Sequence, residues 1–184
     1  ANYNVIAVAD PLGNVTTYAY DKSNRLTGTT DALAQTETLV YDENGRVTAE
    51  IDKVGNTIGY AYDLHGNVLT VTDRTGLNTH YHYDDNDNLT SVEDAAGNTT
   101  TYSYDSMGWL TTYISALDKV TEYTYDLEGN QTSRTDATGR TEHYEYDTAG
   151  RLIAYTSAGG NITRYDYDEL NQLVKKSYED AEGE

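Results

Sequence analysis

Residues Tyr62 to Tyr83 read Y-D-L-H-G-N-V-L-T-V-T-D-R-T-G-L-N-T-H-Y-H-Y. Two glycines, Gly66 and Gly76, divide the stretch into two runs, Val68 to Thr72 and Asn78 to Tyr83. Both runs are of strand length and rich in β-branched or aromatic residues. With glycines punctuating the stretch, no helical apolar period survives, so it reads as two strands and two turns.

The stretch is one unit of a longer pattern. The pair Tyr20-Asp21 returns as Tyr41-Asp42, Tyr62-Asp63, Tyr83-Asp84, Tyr104-Asp105, Tyr125-Asp126, Tyr146-Asp147 and Tyr167-Asp168, 21 residues apart each time. A fixed period of this length is the signature of a repeat architecture. Residues 1–184 therefore read as a single array of about eight repeats. The pattern runs to both ends, so the chain is expected to be a fragment of a longer array.

The first turn follows the Tyr-Asp pair. Its fourth residue after the tyrosine is Asn24, Gly45, Gly66, Asp87, Gly108, Gly129, Gly150 or Asn171. Only residue types that tolerate positive φ occur there. An aspartate, two free positions and a left-handed residue fit a three-residue hairpin loop, a type I turn followed by a G1 bulge. The second turn repeats the logic in Asp10-Pro11-Leu12-Gly13, with Asp52, Asp73, Asp94 and Asp136 in the same place later on. These carboxylates are expected to cap turn N–H groups.

Each repeat is thus an antiparallel hairpin, and successive hairpins join as a meander. Across the first loop Tyr20 should face Leu26 and Tyr18 should face Gly28. The same pairing sets Tyr41 against Val47, Tyr62 against Val68, Tyr104 against Leu110 and Tyr125 against Gln131. A second tyrosine precedes each pair by two, at Tyr18, Tyr60, Tyr81, Tyr102, Tyr123, Tyr144 and Tyr165, with Leu39 substituting once. Period two puts both tyrosines on one face. An odd repeat would swap the faces of equivalent tyrosines if both loops were simple three-residue hairpins. Each repeat must therefore carry a further parity break, either a bulge or a different second loop. Bulges bend a sheet, so the expected fold is all-β: tandem 21-residue hairpins forming a curled or spiralling β-strip.

The composition fits. Nineteen tyrosines accompany one tryptophan and no phenylalanine. Something must supply buried apolar area, so the tyrosines are expected to be the core, with exposed aromatics that stack on sugars as the other reading. A net charge of −19 argues against nucleic-acid or anionic-membrane binding. There is no cysteine, so neither disulfides nor thiol catalysis is expected. No stretch is apolar enough to cross a bilayer as a helix, so no membrane insertion is expected. The N-terminal residues do not read as a signal peptide.

The unit, best preserved in Tyr41-Asp42-Glu43-Asn44-Gly45-Arg46-Val47-Thr48 and in Tyr146-Asp147-Thr148-Ala149-Gly150-Arg151-Leu152, resembles the YD repeat of the Rhs family. That family includes bacterial Rhs toxins, the C component of Tc toxins, wall-associated bacterial proteins and animal teneurins. The resemblance covers nearly the whole chain. It implies a strip of hairpins that spirals into a hollow shell, which encloses a toxic C-terminal domain or serves as an extracellular scaffold. It also implies export, most simply as a secreted or cell-surface bacterial protein. The motif's arginine is kept at Arg25, Arg46 and Arg151 and replaced at Asn67, Asn88, Trp109, Asn130 and Gln172; the turn aspartate is replaced at Ser115 and Ser157, the turn glycine at Ala34, Asp118 and Ala181.

No enzyme is expected. The signature residues Tyr20, Asp21, Tyr41, Asp42, Gly45, Tyr62, Asp63, Gly66, Tyr83, Asp84, Tyr104, Asp105, Gly108, Tyr125, Asp126, Gly129, Tyr146, Asp147, Gly150, Tyr167 and Asp168 follow the turns, where a catalytic pair would break the repeat. No cofactor or metal is expected: His80 and His82 share a strand face but have no evident third ligand, His65 occupies a loop position, and a solvated role is expected for all four histidines, His143 included. Calcium held by the Asp loops is the sharper alternative, although the nonapeptide spacing of calcium β-rolls is absent. The expected partners are neighbouring repeats or identical chains, and an enclosed toxin cargo. The rivals are a glycan-binding or adhesion module and a self-assembling β-fibre subunit.

Overall fold

The computed structural model describes residues 4–181. These form strands and turns without a helix. The strands are β1 (Ala7–Ala9), β2 (Val15–Tyr20), β3 (Leu26–Thr30), β4 (Thr36–Tyr41), β5 (Val47–Ile51), β6 (Thr57–Tyr62), β7 (Val68–Thr72), β8 (Asn78–Tyr83) and β9 (Leu89–Glu93), followed by β10 (Thr99–Tyr104), β11 (Leu110–Ile114), β12 (Val120–Tyr125), β13 (Gln131–Thr135), β14 (Thr141–Tyr146), β15 (Leu152–Thr156), β16 (Ile162–Tyr167) and β17 (Leu173–Glu179). The chain divides into two compact units. Unit 1 comprises Ala1–Tyr83 with Val92–Gly97, and unit 2 comprises Asp84–Ser91 with Asn98–Glu184.

In unit 1, β1 to β8 pair in chain order, each antiparallel to the next. In unit 2, β10 to β17 do the same. Both turns of the repeat have the expected form. In the first loop of repeat one, the Asp21 N–H donates to Arg25 O at 2.9 Å and the Asn24 N–H to Asp21 O at 3.1 Å. In the second, the Asp31 N–H donates to Gln35 O at 3.0 Å and the Ala34 N–H to Asp31 O at 3.0 Å. The residue before the last is left-handed even without glycine, as at Asn24 (φ 70°), Ala34 (φ 60°) and Asp118 (φ 55°).

With two loops of one type, the parity break falls in the strands. Tyr20 pairs with Leu26 but Ala19 pairs with Gly28, which leaves Thr27 as an extra residue. The same bulge recurs at Thr48 and Leu69 in unit 1 and at Thr111, Thr132, Ile153 and Val174 in unit 2. The bulge corrects one expected pairing: Tyr18 faces Thr29, not Gly28. It also restores equivalent tyrosines to one face in every repeat, because two odd shifts cancel. In unit 2 the Thr111 hydroxyl fixes the bulge by donating to Ser103 O at 3.1 Å.

Neither unit encloses a conventional interior. Among the described residues, Ala154 at 2% exposure is the buried apolar side chain and Thr121 at 9% the buried polar one. The tyrosines of the repeat are half-buried along the strands, as in the alternation of Thr16, Tyr18 and Tyr20 with exposed neighbours on β2. The expectation of a tyrosine core is corrected to a tyrosine-covered face. Stability in each unit rests on ladder hydrogen bonds and on cross-strand contacts along a face.

Candidate functional site

Every Tyr-Asp aspartate anchors its own loop. In unit 1, Asp42 Oδ1 accepts the N–H groups of Asn44 and Arg46, both at 2.9 Å, and its Oδ2 accepts Arg46 Nε at 2.7 Å. Asp21 and Asp63 accept the same two backbone N–H groups in unit 1. Asp84, Asp105, Asp126, Asp147 and Asp168 do so in unit 2. Aspartate suits this place because it reaches its own backbone two and four residues on. These bonds favour the charged form. Asp42 is held below its usual range, first by the Arg46 N–H, against a smaller opposing effect of burial. Serine at Ser115 makes longer versions of the two bonds, 3.4 and 3.2 Å.

The second feature joins repeat to repeat. The hydroxyl of a Tyr-Asp tyrosine donates to a strand carbonyl in the preceding repeat. Tyr41 reaches Leu26 O at 2.7 Å and Tyr62 reaches Val47 O at 2.6 Å. In unit 2, Tyr104 reaches Leu89 O at 2.9 Å, Tyr125 reaches Leu110 O at 2.8 Å and Tyr167 reaches Leu152 O at 3.0 Å. Leu26, Val47, Leu110 and Leu152 are themselves the cross-strand partners of the preceding repeat's tyrosine.

The motif arginine spans the same gap in the other direction. Arg25 binds Asp21 through Nε at 2.6 Å, lies over the Tyr41 ring at 4.6 Å and donates Nη1 to Asp42 O at 3.2 Å. Arg46 repeats this over Tyr62 and Asp63 O, and Arg151 over Tyr167 and Asp168 O. Trp109 takes the same place over Tyr125, with ring centroids 5.5 Å apart. A Cβ on Gly45 would lie 3.2 Å from Arg25 Nη1, and one on Gly129 would lie 2.8 Å from Trp109. The loop glycine therefore serves two needs, positive φ and the close approach of the preceding repeat's side chain.

The tyrosine face also breaks from strict repetition. In unit 2, Tyr102 and Tyr113 pair at 5.7 Å and Tyr144 and Tyr155 at 5.4 Å. Beside them Glu142 accepts Tyr155 Oη at 2.8 Å, Tyr144 Oη at 3.2 Å and Arg134 Nη1 at 3.4 Å. The carboxylate pushes the Tyr155 phenol up to about 12, because its hydrogen bond favours the protonated phenol. Of the histidines singled out from sequence, His80 and His82 lie two apart on β8, and His65 and His143 lie on other elements. His80 Nδ1 lies 3.1 Å from Thr70 Oγ1, His143 sits opposite Ser133, and the His65 N–H belongs to the Asp63 loop. The carboxylates of the signature are thus committed to their own loops, and its tyrosines and arginines join one repeat to the next. The arrangement is that of a structural repeat scaffold.

Solved structures share this fold. The TcdB2-TccC3 structure without its hypervariable C-terminal region is 17% identical, with a TM-score of 0.76 over 97% of this chain and 11% of that one. A second TcdB2-TccC3 structure is 17% identical, with a TM-score of 0.73 over 95% of this chain and 12% of that one. The Photorhabdus luminescens Tc holotoxin pore is 16% identical, with a TM-score of 0.56 over 93% of this chain and 12% of that one. The chain spans about a tenth of the length of these structures. No curated protein matches it. Residues 4–36 match the RHS Repeat family. Residues 49–183 match Teneurin YD-shell, and on that match, which takes in most of its length, the chain belongs to the teneurin YD-shell family.

Proposed function

We propose that this array is a stretch of the wall of an exported YD shell, secreted or held at a cell surface, and that the wall encloses a toxic polypeptide. The observation that carries the reading is the coupling of each repeat to the next. Tyrosine hydroxyls reach back to the preceding repeat while arginines and Trp109 reach forward to the following one. A wall needs such lateral continuity more than it needs a pocket. The fold shared with TcdB2-TccC3 supports the same reading.

Limited proteolysis of the full-length protein that carries the array tests it. The segment downstream of the repeats should be protected in the intact protein. It should become cleavable when Arg46→Ala and Tyr104→Ala together loosen the wall. Equal cleavage in both forms would refute enclosure. An oligosaccharide array probed with this chain separates the adhesion rival: the wall reading expects no binding, and tight binding lost in Tyr102→Ala would favour a glycan-reading face.

A further inference from the structure

The position two residues before each Tyr-Asp pair holds a tyrosine in every repeat but one, where Leu39 stands. At two places in unit 2 the ring at this position covers its cross-strand neighbour, Tyr102 over Tyr113 and Tyr144 over Tyr155. Leu39 is shorter and has no planar ring. A cavity of about 330 Å³ opens at this place, lined by Leu26, Thr29, Glu37, Leu39, Glu50 and Arg74 among others. That volume is at the lower end of the range of small-ligand sites.

The wall has a definite chemistry. Glu50 is the cross-strand partner of Leu39, and Glu37 precedes Leu39 by two on β4, so both carboxylates share its face. Their neighbours cancel this charge only in part. Arg74 faces Asp52, with Nε 3.5 Å from Oδ2, and Lys53 binds Asp31 Oδ2 at 2.9 Å while also feeling Glu37. Each of these cations is matched by an aspartate of its own. The Tyr60 hydroxyl donates to Glu50 Oε1 at 3.1 Å, which holds that carboxylate at the cavity without neutralising it. Leu26, Thr29 and Leu39 supply the apolar part of the same lining.

We propose that the cavity at Leu39 binds a small aromatic amine, a phenyl or phenol ring bearing a primary ammonium group. The ring takes the space that tyrosine fills in the other repeats, and the ammonium group sits between Glu37 and Glu50. Neither half of such a ligand suffices. A neutral phenol adds no positive charge between the two carboxylates, and an alkylamine leaves the apolar lining uncovered.

Titration of this chain with tyramine, followed by backbone amide NMR shifts, tests the proposal. Saturable shifts confined to the Leu26 to Thr29, Glu37 to Leu39 and Glu50 to Asp52 segments are expected. Phenol and propylamine, used as separate probes, should each bind at least about tenfold more weakly. Leu39→Tyr restores the residue of the other repeats, fills the cavity from within and should abolish the shifts while keeping the fold. Glu50→Gln keeps an acceptor for Tyr60 and should weaken tyramine about fivefold. Unsaturated or dispersed shifts with tyramine, equal binding of phenol, or full binding to Leu39→Tyr would each overturn the assignment.

Discussion

Removing the Tyr104 side chain in two steps separates what the ring contributes from what the hydroxyl contributes. Tyr104 is half-buried on β10, faces Leu110 and donates its hydroxyl to Leu89 O at 2.9 Å, within unit 2. Tyr104→Phe deletes the hydrogen bond and little else, a cost of about 1 kcal/mol. Tyr104→Ala also deletes the ring. A fully buried aromatic covers on the order of 200 Å², so a half-buried ring covers about 100 Å², worth about 2.5 kcal/mol at the usual coefficient. The expected total is about 3.5 kcal/mol, in the lower part of the range for truncating an enclosed aromatic. Urea unfolding of the parent and both variants, at unchanged slope, gives the two differences directly. A Tyr104→Ala cost below about 0.5 kcal/mol would refute the account, since that is the range of ordinary surface substitutions. Equal costs for the two variants would place the whole effect in the hydroxyl and remove the case for a ring-covered face.

Gly45→Val forces a β-branched residue to φ 88° beneath Arg25 and should destabilise the protein by about 2 kcal/mol or more, whereas Asn24→Gly, already at a left-handed position, should change stability by less than about 0.5 kcal/mol in the same unfolding assay. Acid should weaken the protein through its loops. The folded-state values of Asp10, Asp31, Asp42, Asp84, Asp126 and Asp147 lie below the unfolded value near 3.8, so their contribution is present above that value and lost as pH falls through the depressed ones. The urea midpoint should therefore hold near neutrality and drop steeply below about pH 4. Glu142→Gln should return the Tyr155 phenol towards its ordinary range, seen as the loss of the latest step in an ultraviolet phenol titration. Raised in the folded state, the Tyr155 phenol stabilises below its ordinary value near 10 and loses that contribution as pH climbs towards about 12, so the parent should soften in alkali more than Glu142→Gln does.

The loops were legible because backbone conformation restricts residue type. Gly, Asn and Asp at the fourth place after each tyrosine pointed to left-handed residues, and the aspartates at the loop starts pointed to capped turns. The odd period also required a parity break, but not its place. The bulge residue is Thr27 in one repeat, Leu69 in another and Ile153 in a third, so no side-chain chemistry marks it. The arginine contacts were hidden for a different reason. Arg46 and the Tyr62 ring it covers lie in separate repeats, and only the register of the intervening strands brings them together. The one trace was the pairing of Arg25 with Gly45 and Arg46 with Gly66 at fixed separation, which is visible only once the contact is known. The absence of phenylalanine makes tyrosine the source of buried area but does not fix whether that area is enclosed. A single face of half-covered rings meets the same need with less burial, and the phenol groups find carbonyl partners at its edge.

Contacts in this fold stay close along the chain. The ion pair of Lys53 with Asp31 spans 22 residues and that of Arg74 with Asp52 the same distance, scarcely more than one repeat. Low sequence separation makes loop closure cheap and lets ordering start at any hairpin and spread to its neighbours. Such a chain tolerates changes in its own length. Excising or duplicating one 21-residue unit leaves flanking strands with the same register, bulge and loop geometry as before, so the new junction keeps the backbone pairing of the old. Unequal recombination between copies would therefore lengthen or shorten the array without disturbing the strand pairing of the repeats that remain, and copy number becomes a quantity that selection can adjust in whole steps.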